Sequence, residues 1–156
     1  MNRETNKIVK ELAKSFMEAF RTILSTNVGM NPKSGTNTLK DSNLSRNVKT
    51  ATLENETDII AELLVNDYIQ YIESGRRKGA KFPPVAPIVK WCRKNGIPTD
   101  NSTVFLIRRA ISRDGIAARP IMTHVYTIMD NEMEQQYYDK IFDSIIVELN
   151  KFFNKQ

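Results

Sequence analysis

Several residue types that carry chemistry are almost absent from this sequence of 156 residues. Cys92 is the only cysteine, which excludes an intramolecular disulfide and a cysteine-rich zinc site. His124 is the only histidine, so Ser-His, Cys-His and multi-histidine metal chemistry would all depend on one side chain. No stretch approaches the roughly 18 uninterrupted apolar residues of a membrane span, and MNRETNKIVKELAK lacks the apolar core of a signal peptide. We therefore expect no membrane partner, and a protein that stays in a cytoplasm or in something assembled there.

The charge is unevenly distributed along the chain. The sequence has 23 basic and 18 acidic residues, which gives a net charge of +5. Between Ser74 and Arg119 there are 11 basic and two acidic residues, so this third is +9 and the remainder is −4. Such asymmetry is typical of a polyanion partner, or of an oligomer in which a basic face meets an acidic one.

The length and composition predict a single domain spanning residues 1–156. Apolar residues recur at three- and four-residue intervals near the beginning, which predicts an N-terminal helix within 1–27. Residues 28–47 are polar with scattered Gly and Pro, which predicts an extended flexible loop. An α+β core is expected over 48–120. A C-terminal helical segment is expected over 121–156, with a bend near Asp130 and Asn131 and one apolar stripe, formed by Val125, Ile128, Met129, Met133, Tyr137, Ile141, Ile145, Leu149 and Phe152.

Alternating residues between Val48 and Val65 predict two antiparallel strands joined around Asn55-Glu56, in a small antiparallel sheet of three or four strands. Two short central helices follow, one from Pro87 to about Lys94 and one capped near Asp100 and closed by Gly115. The predicted fold class is α+β, with the sheet packed by the N-terminal helix, the two central helices and a long C-terminal helix.

None of the reactive residue types forms a convincing catalytic, cofactor or metal site. The loop GRRKGAKFPP has glycines and cations but no Gly-Lys-Ser/Thr triplet, so it fails as a nucleotide-binding P-loop. Cys92 and His124 are interpreted as a small core residue and a surface or packed histidine. Asp139 and Asp143 form one acidic helix edge. We predict no enzymatic activity, no cofactor and no metal.

Aromatic and glycine residues around the cationic loop are interpreted as turn and core supports. Trp91 is expected to face inward from its short helix. Replacing it with alanine should then lower the free energy of unfolding by about 3–5 kcal/mol. Tyr68 and Tyr71 either lock a turn onto the core or form a stacking platform for single-stranded nucleic acid beside the arginines. The complete set of predicted supports is Tyr68, Tyr71, Gly75, Gly79, Trp91 and Phe105.

An ordered series of short motifs resembles the small tail-completion and head–tail joining proteins of tailed bacteriophages. The resemblance covers roughly residues 44–122. It rests on a tyrosine turn, a glycine-arginine loop, a Pro-Pro helix start with a Trp, a Phe-Leu-Ile helix and an Arg-Pro link. In this sequence these motifs are LSRNV from Leu44, DYIQYIESGRRKG from Asp67, KFPP from Lys81, IVKW from Ile88, KNGI from Lys94, FLIRRAI from Phe105, GI from Gly115 and RP from Arg119.

The resemblance implies a virion structural protein of the phage neck or tail, assembled in the host bacterial cytoplasm. Its partners would be copies of itself in a six- or twelve-fold ring, adjacent portal, connector or tail proteins, and genomic DNA contacted without sequence specificity in the lumen. The alternative prediction from another class is a small basic nucleic-acid-binding protein without sequence specificity. The interface or DNA-lumen candidates are Arg76, Arg77, Lys78, Lys81, Arg108, Arg109, Arg113 and Arg119.

Overall fold

A computed structural model describes residues 3–55 and 58–154, which form an α+β fold dominated by helices. The predicted fold class is confirmed. Two antiparallel strands pair in register from Lys49 opposite Leu64 to Glu54 opposite Ile59. The elements are α1 (Arg3–Ser25), a 3₁₀ turn (Asn27–Gly29), α2 (Asn43–Arg46), β1 (Lys49–Glu54), β2 (Ile59–Leu64), α3 (Ile69–Ser74), α4 (Val85–Lys94), α5 (Asn101–Asp114), α6 (Ile121–Glu132), a π-helical turn (Met133–Tyr137) and α7 (Tyr138–Phe153).

The described residues divide into two compact units. Unit 1 comprises residues 1–69 and 120–156, and unit 2 comprises residues 70–119. The single domain expected from length stays a prediction. The sheet has two strands in the described part of the chain, where the sequence predicted three or four. Further strand-like pairing among these residues consists of two isolated bridges, Met30 with Asn37 and Arg76 with Ile116.

Helix α1 is the centre of unit 1 and contacts the hairpin, α6 and α7. Its predicted bounds are confirmed, and Phe20 and Leu24 on its apolar side are fully buried. Buried side chains at Ile121, Val125 and Met129 in α6 complete this core. Four-residue spacing places those three on one side of the helix, as the apolar periodicity predicts.

Residues 28–47 depart from the predicted extended loop because they fold into turns that close on α1. The Asn37 amide nitrogen donates to the carbonyl oxygen of Leu24 at 2.8 Å, and its amide oxygen accepts from the backbone N–H groups of Leu39 and Lys40. Leu39 and Leu44 are buried. One asparagine thus satisfies an open carbonyl at the end of α1 and shapes the following turn, which a count of polar residues does not reveal.

The sequence predicted a bend at Asp130-Asn131. The structure departs from α-helix a few residues later, in the π-helical turn at Met133–Tyr137. A π turn inserts one additional residue into a helix and rotates everything after it. Tyr137 is buried there, and its hydroxyl lies 2.8 Å from Ser15 Oγ. The side of α7 that faces α1 therefore differs from the predicted apolar stripe. Ser144 is buried while Ile145, Leu149 and Phe152 are exposed.

In unit 2, helices α4 and α5 pack together and begin and end near the predicted residues. Asp100 caps α5 by accepting from the Thr103 backbone N–H at 2.9 Å and from its hydroxyl at 2.6 Å. These hydrogen bonds lower the pKa of Asp100, so the stability it adds is present above its unfolded pKa and is lost as the pH falls through the folded one. None of the helices within residues 3–55 and 58–154 is long and apolar enough to cross a membrane.

Candidate functional site

The segment Gly75–Phe82, called here the cationic loop, is held in a defined conformation within unit 2. The backbone of Arg76 pairs with that of Ile116 through N–H···O bonds of 2.8 and 2.9 Å. The Gly79 N–H donates to the Ser112 carbonyl at 2.8 Å, and the Ser112 hydroxyl donates to the Ala80 carbonyl. The loop is therefore tied to the end of α5 and to the strand-like residues after it.

Two of the predicted interface cations, Arg76 and Arg108, form hydrogen bonds that stabilise this loop. The Arg76 guanidinium donates to the Lys81 carbonyl oxygen. Arg108 Nε donates to the Pro83 carbonyl at 2.7 Å, and the guanidinium carbon lies 5.4 Å from the centre of the Phe82 ring. A cation over an aromatic face is attracted by the ring quadrupole. The structure thus gives Arg76 and Arg108 internal partners.

The other predicted cations differ in what they contact. The side chains of Arg77, Lys78, Lys81 and Arg109 are solvent-facing and make no hydrogen bond or ion pair with residues that the structure describes. Arg113 forms an ion pair with the neighbouring Asp114 at 2.8 Å, and that hydrogen bond raises the pKa of Arg113. Partial burial lowers the pKa of Arg119. Among the eight predicted candidates, these four are the cations that remain available to a partner.

The aromatic supports predicted for unit 2 lie largely at its surface. Trp91 is 49% exposed and Phe105 is 48% exposed, so the expectation that these two face the core is wrong; Tyr71, predicted either to lock a turn or to stack on nucleic acid, is 68% exposed. Tyr68, in unit 1, is also exposed. The interior of unit 2 is made instead of small residues, namely Pro83, Cys92, Val104 and Gly115. A unit of about 50 residues has too little volume relative to its surface to enclose several large rings.

The two glycines predicted to support the loop, Gly75 and Gly79, have different surroundings. Gly75 lies against the backbone of Ile116 and Ala118, whereas Gly79 has open space on the side where a Cβ would be. Phe105 still contributes to local packing because its ring centre is 5.7 Å from that of Phe82. Gly75 and the Phe82–Phe105 pair therefore support the loop, and Gly79 lies exposed at its tip.

The exposure of Trp91 changes the expected cost of removing it. We expect Trp91→Ala to lower the free energy of unfolding by about 1–2 kcal/mol, well below the loss typical of a core tryptophan, because about half of the side chain is already in water. Urea denaturation followed by circular dichroism measures this. Cys92→Ala, at the next and fully buried position, is the local comparison. A loss of about 3 kcal/mol or more for Trp91→Ala would show that the ring is buried after all.

The reactive residue types do not converge in space. Cys92 is buried, and His124 lies exposed on α6. Asp139 and Asp143 are exposed on α7. Among residues 3–55 and 58–154, no three His, Cys, Asp or Glu side chains are placed to hold a metal ion.

The sequence did not reveal that large apolar side chains on α5 and α7 are exposed. Leu106 on α5 is 60% exposed, and α7 carries exposed residues at Tyr138, Phe142, Ile145, Leu149 and Phe152. Their alternating spacing of four and three residues is visible in the sequence. It predicts a helix seam but does not say whether the chain itself covers that seam.

Comparison with known proteins finds no matching family model, no matching curated protein and no matching solved structure.

Proposed function

We propose that this chain is a ring-forming structural subunit of the neck of a tailed phage, acting as a head–tail connector or tail-completion protein without catalytic activity. One observation carries the proposal. Of the described residues, 21 large apolar side chains are exposed, while 16 apolar residues form the buried core. Five of the exposed side chains, from Tyr138 to Phe152, recur at three- and four-residue spacing along α7, and a contiguous apolar patch of this kind marks a contact with another protein. The ordered motifs between residues 44 and 122 direct that general conclusion to a neck protein.

The charges of the two units support a ring closed by head-to-tail contacts. Unit 2 has 11 basic and three acidic residues, whereas the residues of unit 1 include 12 basic and 15 acidic ones. A head-to-tail ring needs two different faces on every subunit, each complementary to the other. Units of opposite net charge provide such faces without a second protein species.

Adjacent portal, connector or tail proteins would contact the surfaces above and below the ring, within the virion. Arg77, Lys78 and Lys81 in the cationic loop are available for a neighbouring ring or for DNA in the lumen. Contacts to moving DNA would be restricted to phosphates, and hence weak and strongly dependent on salt, because base-specific contacts would resist sliding.

The proposal is tested by the mass of the purified chain. Light scattering at low and moderate salt, followed by negative-stain imaging, should give closed particles of six or twelve subunits. A uniform monomer across the concentration range in which the chain is soluble would contradict the proposal.

The alternative, a basic nucleic-acid-binding protein, is favoured by the unpartnered cations of unit 2, which include Arg77, Lys78, Lys81 and Arg109. It predicts a monomer or dimer that binds duplex DNA, with affinity falling as salt rises. Replacing Arg77 and Lys78 with alanine would then lower the salt slope by about two, roughly one for each phosphate that is no longer neutralised. In a ring subunit, the same double variant should keep its fold and have no tight DNA binding to lose.

A further inference from the structure

Helix α7 turns its polar side toward its own unit. Ser144 is buried, and its hydroxyl lies 2.7 Å from that of Thr5 on α1. Ile141 and Glu148 are partly buried on the same side of the helix. Residues 141, 144 and 148 share one face because they are three and four positions apart. The face of α7 toward α1 therefore includes Ser144 and Glu148 beside Ile141, and most of the large apolar residues of α7 remain outside it.

Those remaining apolar residues form a continuous row, called here the α7 stripe, of Tyr138, Phe142, Ile145, Leu149 and Phe152. Each is between 45% and 65% exposed. Their alternating four- and three-residue spacing is the pattern of a helix that packs lengthwise against another helical surface. The stripe lies about a quarter turn around α7 from the residues that face α1.

An apolar groove of about 460 Å³ continues the stripe along the surface of unit 1. It runs between α1, β2 and α7, and Ile145 belongs to both the groove and the stripe. Its apolar lining includes Val9, Ile60 and Ile141. Its charged lining residues are Asp58 and Glu148, both acidic, with no basic residue among the described positions that line it. An apolar surface with an acidic rim fits a partner whose apolar surface has a basic rim.

Helix α5 presents such a surface on unit 2, called here the α5 face. Phe105 and Leu106 are exposed, and Arg109 follows them one turn later with no partner among the described residues. On α4, the exposed Trp91 is followed by the exposed Lys94 in the same way. Both helices thus show large apolar side chains next to cations.

We propose that the α7 stripe and its groove on one copy of this chain pack against the α5 face of a second copy, with Arg109 near Glu148. The inference rests on the proposed ring and names its interface. A large aromatic side chain covers about 150–250 Å², so five half-exposed stripe residues offer about 500 Å² before the groove is counted. A stable interface buries about 800 Å² on each partner, so the stripe supplies more than half of that area and the groove adds to it.

The charges favour this head-to-tail contact over a symmetric pairing of two α7 helices. A symmetric pair would place the acidic rims of both copies side by side and would leave the cationic α5 face uncovered. Contact with the α5 face instead sets opposite charges around an apolar centre. It also leaves each subunit with a second free face, which a ring requires.

Cysteine cross-linking tests which surfaces meet. The native Cys92 is fully buried, so it does not compete with introduced surface cysteines. In a mixture of Leu106→Cys and Ile145→Cys chains, a short thiol-reactive cross-linker should join one chain of each kind. The double variant should give a ladder of linked copies. The matched control is Val147→Cys, equally exposed but on the opposite side of α7, which should not link to Leu106→Cys.

A charge exchange tests the ionic part of the same contact. Glu148→Lys should reduce the assembled mass seen by light scattering, and adding Arg109→Glu in the same chain should restore it. Asp143→Lys makes the same change on the edge of α7 away from the stripe and should leave assembly unchanged.

The outcomes separate this interface from the ring itself. If the unmodified chain forms closed particles but Ile145→Cys links only to itself, the head-to-tail interface is overturned in favour of α7 pairing and the ring stands. If the particles form and no introduced cysteine links, the interface is likewise overturned. If the unmodified chain is monomeric throughout, the ring and the interface both fail.

Discussion

Replacing Leu44 with alanine is expected to lower the free energy of unfolding by about 3–4 kcal/mol. Leu44 lies in the short helix α2, within the segment whose composition predicted a loop, and its side chain is completely buried. Removing three carbons there loses apolar burial and leaves a cavity that the surrounding core fills only in part. Urea denaturation followed by circular dichroism measures the loss.

Leu53→Ala is the matched control for this prediction. It removes the same atoms from a leucine that is 52% exposed on β1, and its expected cost is below about 1.5 kcal/mol. Equal losses for the two variants would mean that residues 28–47 do not pack onto α1. A large loss confined to Leu44 would show that this polar segment belongs to the core of unit 1.

Replacing Gly75 with alanine is expected to destabilise unit 2 by about 2–5 kcal/mol. Its φ of +65° is the left-handed region, which costs a residue with a Cβ about 1–2 kcal/mol. A Cβ at this position would also come within 3.0 Å of the carbonyl oxygen of Ile116 and of the backbone of Ala118. Overpacking of this kind adds about 1–3 kcal/mol, because backbone atoms cannot rotate away as a side chain can.

Gly79→Ala separates the two contributions. Gly79 has a φ of +73° but open space around the position of a Cβ, so only the conformational cost of about 1–2 kcal/mol applies. Thermal unfolding gives the difference between the variants, and hydrogen exchange at the amides of Arg76 and Ile116 reports the local pairing. If Gly75→Ala costs no more than Gly79→Ala, the close approach of the cationic loop to Ile116 is absent.

Local signals allowed much of the fold to be predicted from the sequence. Apolar periodicity gives α1, alternation gives the β1–β2 hairpin, and Asp100 and Gly115 bound α5. Each of these depends on residues close together in the chain, where the physical cause lies within a few positions. Glu56, at the predicted turn of the hairpin, lies outside the described residues.

The failures share a different cause, because each depends on how separate segments of the chain pack together. The turn around Asn37 forms because a carbonyl at the end of α1 needs a donor. Trp91 lies at the surface because the interior of unit 2 is filled by small residues such as Cys92 and Val104. Hydrophobicity alone predicted both the position of Trp91 and the inward side of α7. In each case it identified an apolar side chain and did not identify whether the chain itself buries it.

The π turn at Met133–Tyr137 determines whether α7 can bury its large apolar side chains within its own chain. Deleting a single residue there would restore regular α-helix. It would rotate α7 by about 100° about its own axis, which would turn those side chains toward α1. If α7 packs against a second copy as proposed, such a chain would gain stability in isolation and lose that contact. On that proposal, one additional residue in a helix separates a chain that buries its own apolar side chains from one that needs a second copy to bury them.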